Sequence, residues 1–403
     1  MNFSRAFEAP RPSAIRELFP YMSRPDMISF AGGYPSADLF DAEGLHAAME
    51  RAMQEAPAKW LQYAATEGEP ALREALAAWM KRRAIDAPVD RILVTSGSGQ
   101  GLDLLLRVLI DRGDTILVER PSYTTALTAM RFAGARLVGV GADADGIDVD
   151  ELEEKLAKGV RAKAVYLVPT FANPSGATLS LARRKRLLEL AVRHQLFIIE
   201  DDAYGDLRFD GVPVPPLAAL AKEAGAEAQV IHLSTLSKIV APGLRVGWMF
   251  AAPEVLRRCV IAKQAVDLCT SPWVQYAAAQ YLKGGVLERN VGRIVAAYRE
   301  RAQAMAEALR AKLAGKFMFS APQGGMFIWG TLPTGIDASA LLRSAIEEKV
   351  MYVPGVSFYA DAPEARSLRL CFSMTLPARI RTGVERLERA FSRYDADSLE
   401  EEK

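Results

Sequence analysis

From about residue 91 the chain alternates short, continuously apolar runs with longer amphipathic ones. The apolar runs fall at 91–95, 115–118, 136–140, 164–168, 196–199, 230–233 and 246–250, and are rich in Val, Ile and Leu. Helix-length stretches separate them, for example 102–110 and a run that starts at Thr124. A strand that is apolar along its whole length is buried on both faces. Strands separated by helices pair in parallel through crossovers. The pattern therefore predicts an α/β fold whose larger domain is a mostly parallel, seven-stranded sheet between helices. After Pro253 the pattern turns helical to about Leu313. Strand-like runs at 325–329, 351–353 and 368–372 then mix with an amphipathic run near 337–349 and a last helix to about 396, which predicts a smaller α+β domain. The first 45 residues are Pro-rich and short of pattern, and read as an arm packed on something else. The tail at 395–403 is charged and expected to fray.

Composition narrows the function. The chain has 403 residues, 50% apolar and 25% charged, with a net charge of +1, which is an ordinary two-domain globular balance. No basic excess points to nucleic acid or a membrane surface. No apolar run is long enough to span a bilayer, and the first residues lack a signal peptide's apolar core. Cys259, Cys269 and Cys371 form no paired framework and fit a reducing, cytoplasmic setting. His46, His194 and His232 have no second ligand at metal spacing, so no metal is expected. Acid–base chemistry must then come from lysine, tyrosine or carboxylate.

The candidate chemistry sits where the apolar runs end. The first run leads into Thr-Ser-Gly-Ser-Gly-Gln-Gly at 95–101, which opens a helix and offers backbone N–H groups to a phosphate. Asn173 lies in Asn-Pro-Ser-Gly at 173–176, and Asp201 and Tyr204 lie in Glu-Asp-Asp-Ala-Tyr at 200–204. Thr235, Ser237, Lys238 and Arg245 follow the run at 230–233. Each motif alone reads as a turn or a solvated loop. Ligands of parallel sheets, however, bind beyond the carboxyl ends of the strands, and these motifs occupy four such ends in order. A buried ammonium is costly unless it is paired or used. One chemistry uses the whole set: a lysine that forms a Schiff base with pyridoxal 5′-phosphate. The phosphate needs a helix N-terminus, hydroxyls and a guanidinium. The ring nitrogen needs a carboxylate, the phenolate oxygen an amide and a tyrosine, and the ring face an aromatic.

The chain resembles pyridoxal-phosphate aminotransferases of the aspartate-aminotransferase fold (class I/II, fold type I), closest in motifs to the 2-aminoadipate and kynurenine aminotransferase branch. The likeness runs from the segments at 13–18 and 28–33, through 61–63 and 66–68, to 368–373. The resemblance implies that Lys238 is the Schiff-base and catalytic lysine, that Asp201 and Tyr204 meet the ring nitrogen and phenolate oxygen, and that Asn173 reaches that oxygen and borders the substrate. It makes Tyr123 the stacking aromatic and Ser98, Gly99, Thr235, Ser237 and Arg245 the phosphate cradle. It matches Tyr63 to a tyrosine that reaches the phosphate of the other subunit, which implies a homodimer with shared sites. The resemblance also implies that Arg369 grips the substrate α-carboxylate, that Gly33 approaches it closely, and that Arg16 reaches a distal carboxylate. Gly99 stands where relatives often carry glutamine, and Thr235 where many carry serine. The domains implied are 1–45, an N-terminal arm and part of the small domain, 46–285, the large cofactor-binding domain, and 286–403, the C-terminal small domain. The substrates implied are small amino acids (2-aminoadipate, aromatic or branched aliphatic) and 2-oxo acids, with 2-oxoglutarate as one partner. A lyase or decarboxylase on the same cofactor uses the same ring contacts. A nicotinamide-dependent dehydrogenase would rest on Gly97, Gly99, Gly101 and Glu119, although Leu102 stands where a third motif glycine is wanted. A regulatory module fused to a DNA-binding winged helix is a third class, and the short patternless stretch before the domain leads us to expect no such fusion.

Overall fold

The computed structural model describes residue 7 and residues 14–22, 24–55 and 58–401; the side chains of residues 14, 15, 19 and 395–401 lie outside that description. Its centre is an eight-stranded sheet ordered Ile92–Thr95, Gly247–Phe250, Val230–Thr235, Phe197–Asp201, Ala162–Leu167, Thr115–Arg120, Arg136–Asp143 and Gly146–Ile147. All seven expected strands are present. The eighth is a correction to the expected count. It is a two-residue strand that turns back antiparallel on Arg136–Asp143, because Gly146 takes a φ of +87° that lets the chain reverse at once. Two residues are too few to show a period. Neighbouring strands from Val230–Thr235 to Arg136–Asp143 pair in parallel, whereas Gly247–Phe250 runs antiparallel to both its neighbours. Ile92–Thr95, Val230–Thr235 and Gly247–Phe250 are buried at every position, as strands covered on both faces should be.

Helix Ser98–Leu109 shows how the layers are held. Leu102, Leu104, Leu105 and Leu106 are buried, and each buried leucine contributes about 1.5–3 kcal/mol. A Cβ on Gly101 would lie 2.9 Å from Leu233, so glycine there lets the helix rest directly on the sheet. This contact fixes the helix N-terminus over the carboxyl edge of the strands.

A four-stranded antiparallel sheet, ordered Met318–Phe319, Phe327–Thr331, Ser367–Cys371 and Val353–Pro354, forms the second layer system. The N-terminal segment joins it: Ile28–Ser29 pairs in parallel with Val350–Met351, and Leu18 is buried with Ala31, Met351, Val353 and Phe358. Helix Ala42–Glu55 crosses the boundary expected at 45/46. The long helices Val286–Lys312 and Pro377–Glu401 pack together. The last helix continues beyond 396, with no glycine or proline between 384 and 401 to stop it. No helix among the described residues is long and apolar enough to cross a membrane.

Candidate active site

Because the parallel strands point the same way, the ends at Thr95, Arg120, Leu167, Asp201 and Thr235 lie along one edge of the sheet. Gly247 pairs with both Thr95 and Thr235, which brings the turn carrying Arg245 to that same edge. The turns there, with Arg369 of the small sheet and Arg16 and Gly33 of the N-terminal segment, enclose a cavity of about 510 Å³. Ser98, Gly99, Tyr123, Asn173, Asp201, Tyr204, Thr235, Ser237, Lys238 and Arg245 complete its wall. Of the residues that the aminotransferase resemblance placed at the cofactor or substrate, Tyr63 alone lies elsewhere; it is 77% exposed and does not line the cavity.

One end of the cavity is built for an anion. The helix opening at Ser98 directs free N–H groups and its positive dipole end at it. Arg245 sits in the left-handed region, with φ of +52°, and donates through Nη2 to Ser96 O at 3.2 Å. Gly97, φ +86°, has to be glycine, since a Cβ there would collide with the Arg245 guanidinium. The Thr235 hydroxyl lies 2.8 Å from Ser237 Oγ and accepts from Ser237 N at 3.1 Å, which tightens the turn Leu236–Lys238.

The middle carries the groups able to exchange protons. Lys238 is half-buried, and its Nζ donates to Gly33 O at 3.3 Å. Desolvation, with Arg369 and Arg245 acting in the same sense, lowers its pKa to about 8, so a fraction of the amine is neutral near physiological pH. Its Nζ stands 5.9 Å from the centre of the Tyr204 ring. Asp201 is buried, and burial raises its pKa to about 6 against the lowering donation from Tyr166. That donation reaches Oδ2 at 2.7 Å, while Oδ1 has no hydrogen-bond partner among the described residues. Burial also raises the pKa of Tyr123 and Tyr204.

The far wall is cationic. Arg369 is 1% exposed and sandwiched between Phe327 and Phe358, at 4.3 and 5.0 Å from the ring centres. It donates to Asn173 Oδ1 and Ala31 O, each at 2.7 Å, and leaves Nε without a partner among the described residues. Gly33 lies beside it, its would-be Cβ 3.8 Å from Arg369 Nη1. Arg16, on the short helix Ala14–Glu17, lines the cavity from the exposed side.

The profile of the family described as "Aminotransferase class I and II" matches residues 26–387. The chain belongs to the class I and II aminotransferases. It is 42% identical to aromatic-amino-acid aminotransferase 1 of Thermococcus litoralis over 96% of this chain and 93% of that protein. It is 42% identical to the 2-aminoadipate transaminase of Thermus thermophilus over 94% and 93%. The crystal structure of LysN, the α-aminoadipate aminotransferase of Thermus thermophilus complexed with N-(5′-phosphopyridoxyl)-L-leucine, superposes with a TM-score of 0.90 at 39% identity, covering 98% of both chains.

The aminotransferase uses pyridoxal 5′-phosphate, and the chemistry of its cavity fits that group. A free N–H array beside a guanidinium suits a phosphate dianion, and an ionised carboxyl with one unpartnered oxygen suits a protonated ring nitrogen. The dehydrogenase reading falls away. Glu119 is buried, does not line this cavity, and accepts a hydrogen bond from Val168 N at 2.9 Å; burial raises its pKa to about 8. It is thus a structural acid that holds two strands rather than a ribose ligand. Sequence reasoning passed over Tyr34, Thr125 and Val168, which also line the cavity, and Tyr166, which touches Asp201 from behind. Tyr166 had no local signal, because a tyrosine inside an apolar strand reads as core.

Proposed function

We propose that this aminotransferase moves an amino group between 2-oxoglutarate and an L-amino acid whose side chain is 2-aminoadipate-like, aromatic or branched aliphatic. The observation that carries the reading is the single cavity in which Lys238, Asp201 with its unpartnered Oδ1, and Arg369 with its unpartnered Nε meet. When bound, pyridoxal phosphate supplies the electron sink that lets an amino acid's Cα–H bond ionise. Lys238 Nζ, held partly neutral by desolvation, takes and returns the Cα proton. Asp201 Oδ1 would supply the negative charge that keeps the ring nitrogen protonated, and Tyr204 and Asn173 would hold the ring's oxygen. Tyr123, which lines the cavity, would stack on the ring face. Ser98, Gly99, Thr235, Ser237 and Arg245 bind the phosphate end. Arg369 orients the α-carboxylate, so that one Cα bond stands toward Lys238. The same reading divides the chain at 46–285, which holds the whole eight-stranded sheet, and 286–403, which holds the four-stranded one.

Arg16 sets the substrate range in this reading. It sits on the exposed side of the cavity, on a four-residue helix anchored through Leu18. A charge-assisted contact from Arg16 to a distal carboxylate is worth about 1.5–3 kcal/mol, so Arg16→Ala is expected to lose about tenfold to a hundredfold in kcat/KM with 2-aminoadipate. Leucine, which has no distal carboxylate, should lose far less. Equal losses would mean that Arg16 only orders the arm, and no turnover of 2-oxoglutarate with any donor would overturn the acceptor.

A homodimer with shared sites and a cytoplasmic location complete the reading. Tyr63 and Leu61 are 77% and 72% exposed side by side, which supports a covering second copy, and the free cysteines support a reducing setting. If Tyr63 completes the partner's site, mixing Lys238→Ala chains with Tyr63→Ala chains should restore part of the activity that neither has alone. A fully active monomer in sedimentation would refute the arrangement.

A further inference from the structure

The proposed mechanism uses Asp201 but says nothing of what holds it. Tyr166 is fully buried in the strand Ala162–Leu167, which lies beside Phe197–Asp201 in parallel register, with Tyr166 opposite Ile199. From there its hydroxyl reaches forward to donate to Asp201 Oδ2 at 2.7 Å. The two carboxylate oxygens are thereby made unequal, because Oδ1 keeps no partner among the described residues while Asp201 lines the cavity. A carboxylate turns easily about its last side-chain bond, and one short donor on one oxygen fixes both its plane and the direction of the other oxygen.

The neighbouring ionisable groups are committed elsewhere. Glu200 meets His232 Nδ1 at 2.9 Å and accepts from Leu217 N and Ala218 N at 2.6 and 3.0 Å. Asp202 Oδ2 is paired with Arg83. Lys238 Nζ donates to Gly33 O. Tyr123 and Glu119 also face Tyr166 electrostatically, and Glu119 is spent on Val168 N. Tyr166 is therefore the side chain left to orient Asp201.

We propose that Tyr166 is a positioning residue, whose hydroxyl clamps Asp201 Oδ2 so that Oδ1 points at the cofactor's ring nitrogen. This rests on the assignment of Asp201 to that nitrogen. The direction of charge agrees: burial drives Asp201 toward its neutral form, and the Tyr166 donation opposes this. The cofactor-facing role of Tyr166 is indirect, since its own ring lies outside the cavity wall.

The test is a double-mutant cycle on the purified holoenzyme, with Tyr166→Phe, Asp201→Asn and the double variant. Cofactor retention on dialysis, the pH titration of the bound cofactor's visible band, kcat and KM are read for each. Tyr166→Phe removes one oxygen and is expected to lower kcat by about tenfold to a hundredfold, as losing a hydrogen bond to a charged group does. KM for the amino acid should change little, cofactor retention should weaken and the titration midpoint should move. In the Asp201→Asn background the same change should do none of these things. Equal costs in both backgrounds would show a merely structural tyrosine and overturn the proposal, as would wild-type kcat and retention in Tyr166→Phe. Incorporating 3-fluorotyrosine at position 166 keeps the hydroxyl and makes it a stronger donor. It should move the titration midpoint opposite to Tyr166→Phe, and an unmoved midpoint also overturns the proposal, even if the phenylalanine variant folds poorly. Asp201→Asn that retains full activity and cofactor would instead refute the ring-nitrogen assignment itself.

Discussion

Lys238→Ala is expected to abolish transamination and leave the fold intact. Both halves follow from how the lysine is held. Its Nζ makes one long hydrogen bond, 3.3 Å to Gly33 O, and no ion pair among the described residues. Desolvation, Arg369 and Arg245 oppose its charge, while Asp201 supports it from across the cavity without a direct ion pair. Removing the side chain therefore breaks no direct ion pair, and the large cost of breaking a buried one does not arise, although Asp201 loses a favourable long-range charge. The turn that presents it is held independently, by Ser237 N on Thr235 Oγ1 and by Leu236 N on Val246 O. The melting temperature should stay near that of the parent or rise. Activity is another matter. Positioned proton transfer alone accounts for about a hundredfold to ten-thousandfold in rate, and no second amine lines the cavity among the described residues to replace it. Steady-state turnover with glutamate and a thermal melt on the same sample check both halves. Retained turnover, or a borohydride-reduced cofactor adduct mapped to another lysine, would sink the assignment.

What could be read from the sequence follows from the range of the forces involved. The seven long strands were legible because burial on both faces leaves a continuous apolar run, and that signal is local. Gly146–Ile147 and Ile28–Ser29 were not, since two residues carry no period and their pairing depends on partners up to hundreds of positions away. The site was legible in a different way. Each motif was ambiguous alone, but a parallel sheet forces strand ends to one edge, so their order along the chain could be read as adjacency in space. That logic reached Asn173, Asp201, Lys238 and Arg245, all of which line one cavity. It could not reach Tyr166, which acts from inside a strand, nor the two aromatic faces of Phe327 and Phe358 that enclose Arg369. Tyr63 falls outside it for another reason: whatever it touches is not on its own chain's cavity.

Arg369→Lys should separate recognition of the common carboxylate from recognition of the side chain. The guanidinium is planar, and its fork is already divided in this structure. Nη1 holds Asn173 Oδ1, Nη2 holds Ala31 O, and the plane is fixed between Phe327 and Phe358. Desolvation lowers its pKa, yet an arginine remains charged at any working pH. A lysine there keeps one charge but not the plane. It can serve Asn173, Ala31 O or a carboxylate, and not all at once, so one buried acceptor or the substrate goes without. In the proposed role, two charge-assisted contacts to the α-carboxylate would be worth about 1.5–3 kcal/mol each, so kcat/KM should fall by about a hundredfold or more. Every amino acid carries that carboxylate. The loss should therefore be of similar size for glutamate, 2-aminoadipate, leucine and an aromatic substrate, in contrast to the selective loss expected from Arg16→Ala. The unmet acceptors also predict a lower melting temperature, because a buried polar group left unpaired costs about 1–3 kcal/mol. Measuring kcat/KM for the four donors in one series decides the matter. A loss confined to dicarboxylic donors would move Arg369 to the side-chain subsite, and undiminished kcat/KM with a lowered melting temperature would leave it a structural residue that braces Asn173 against the small sheet.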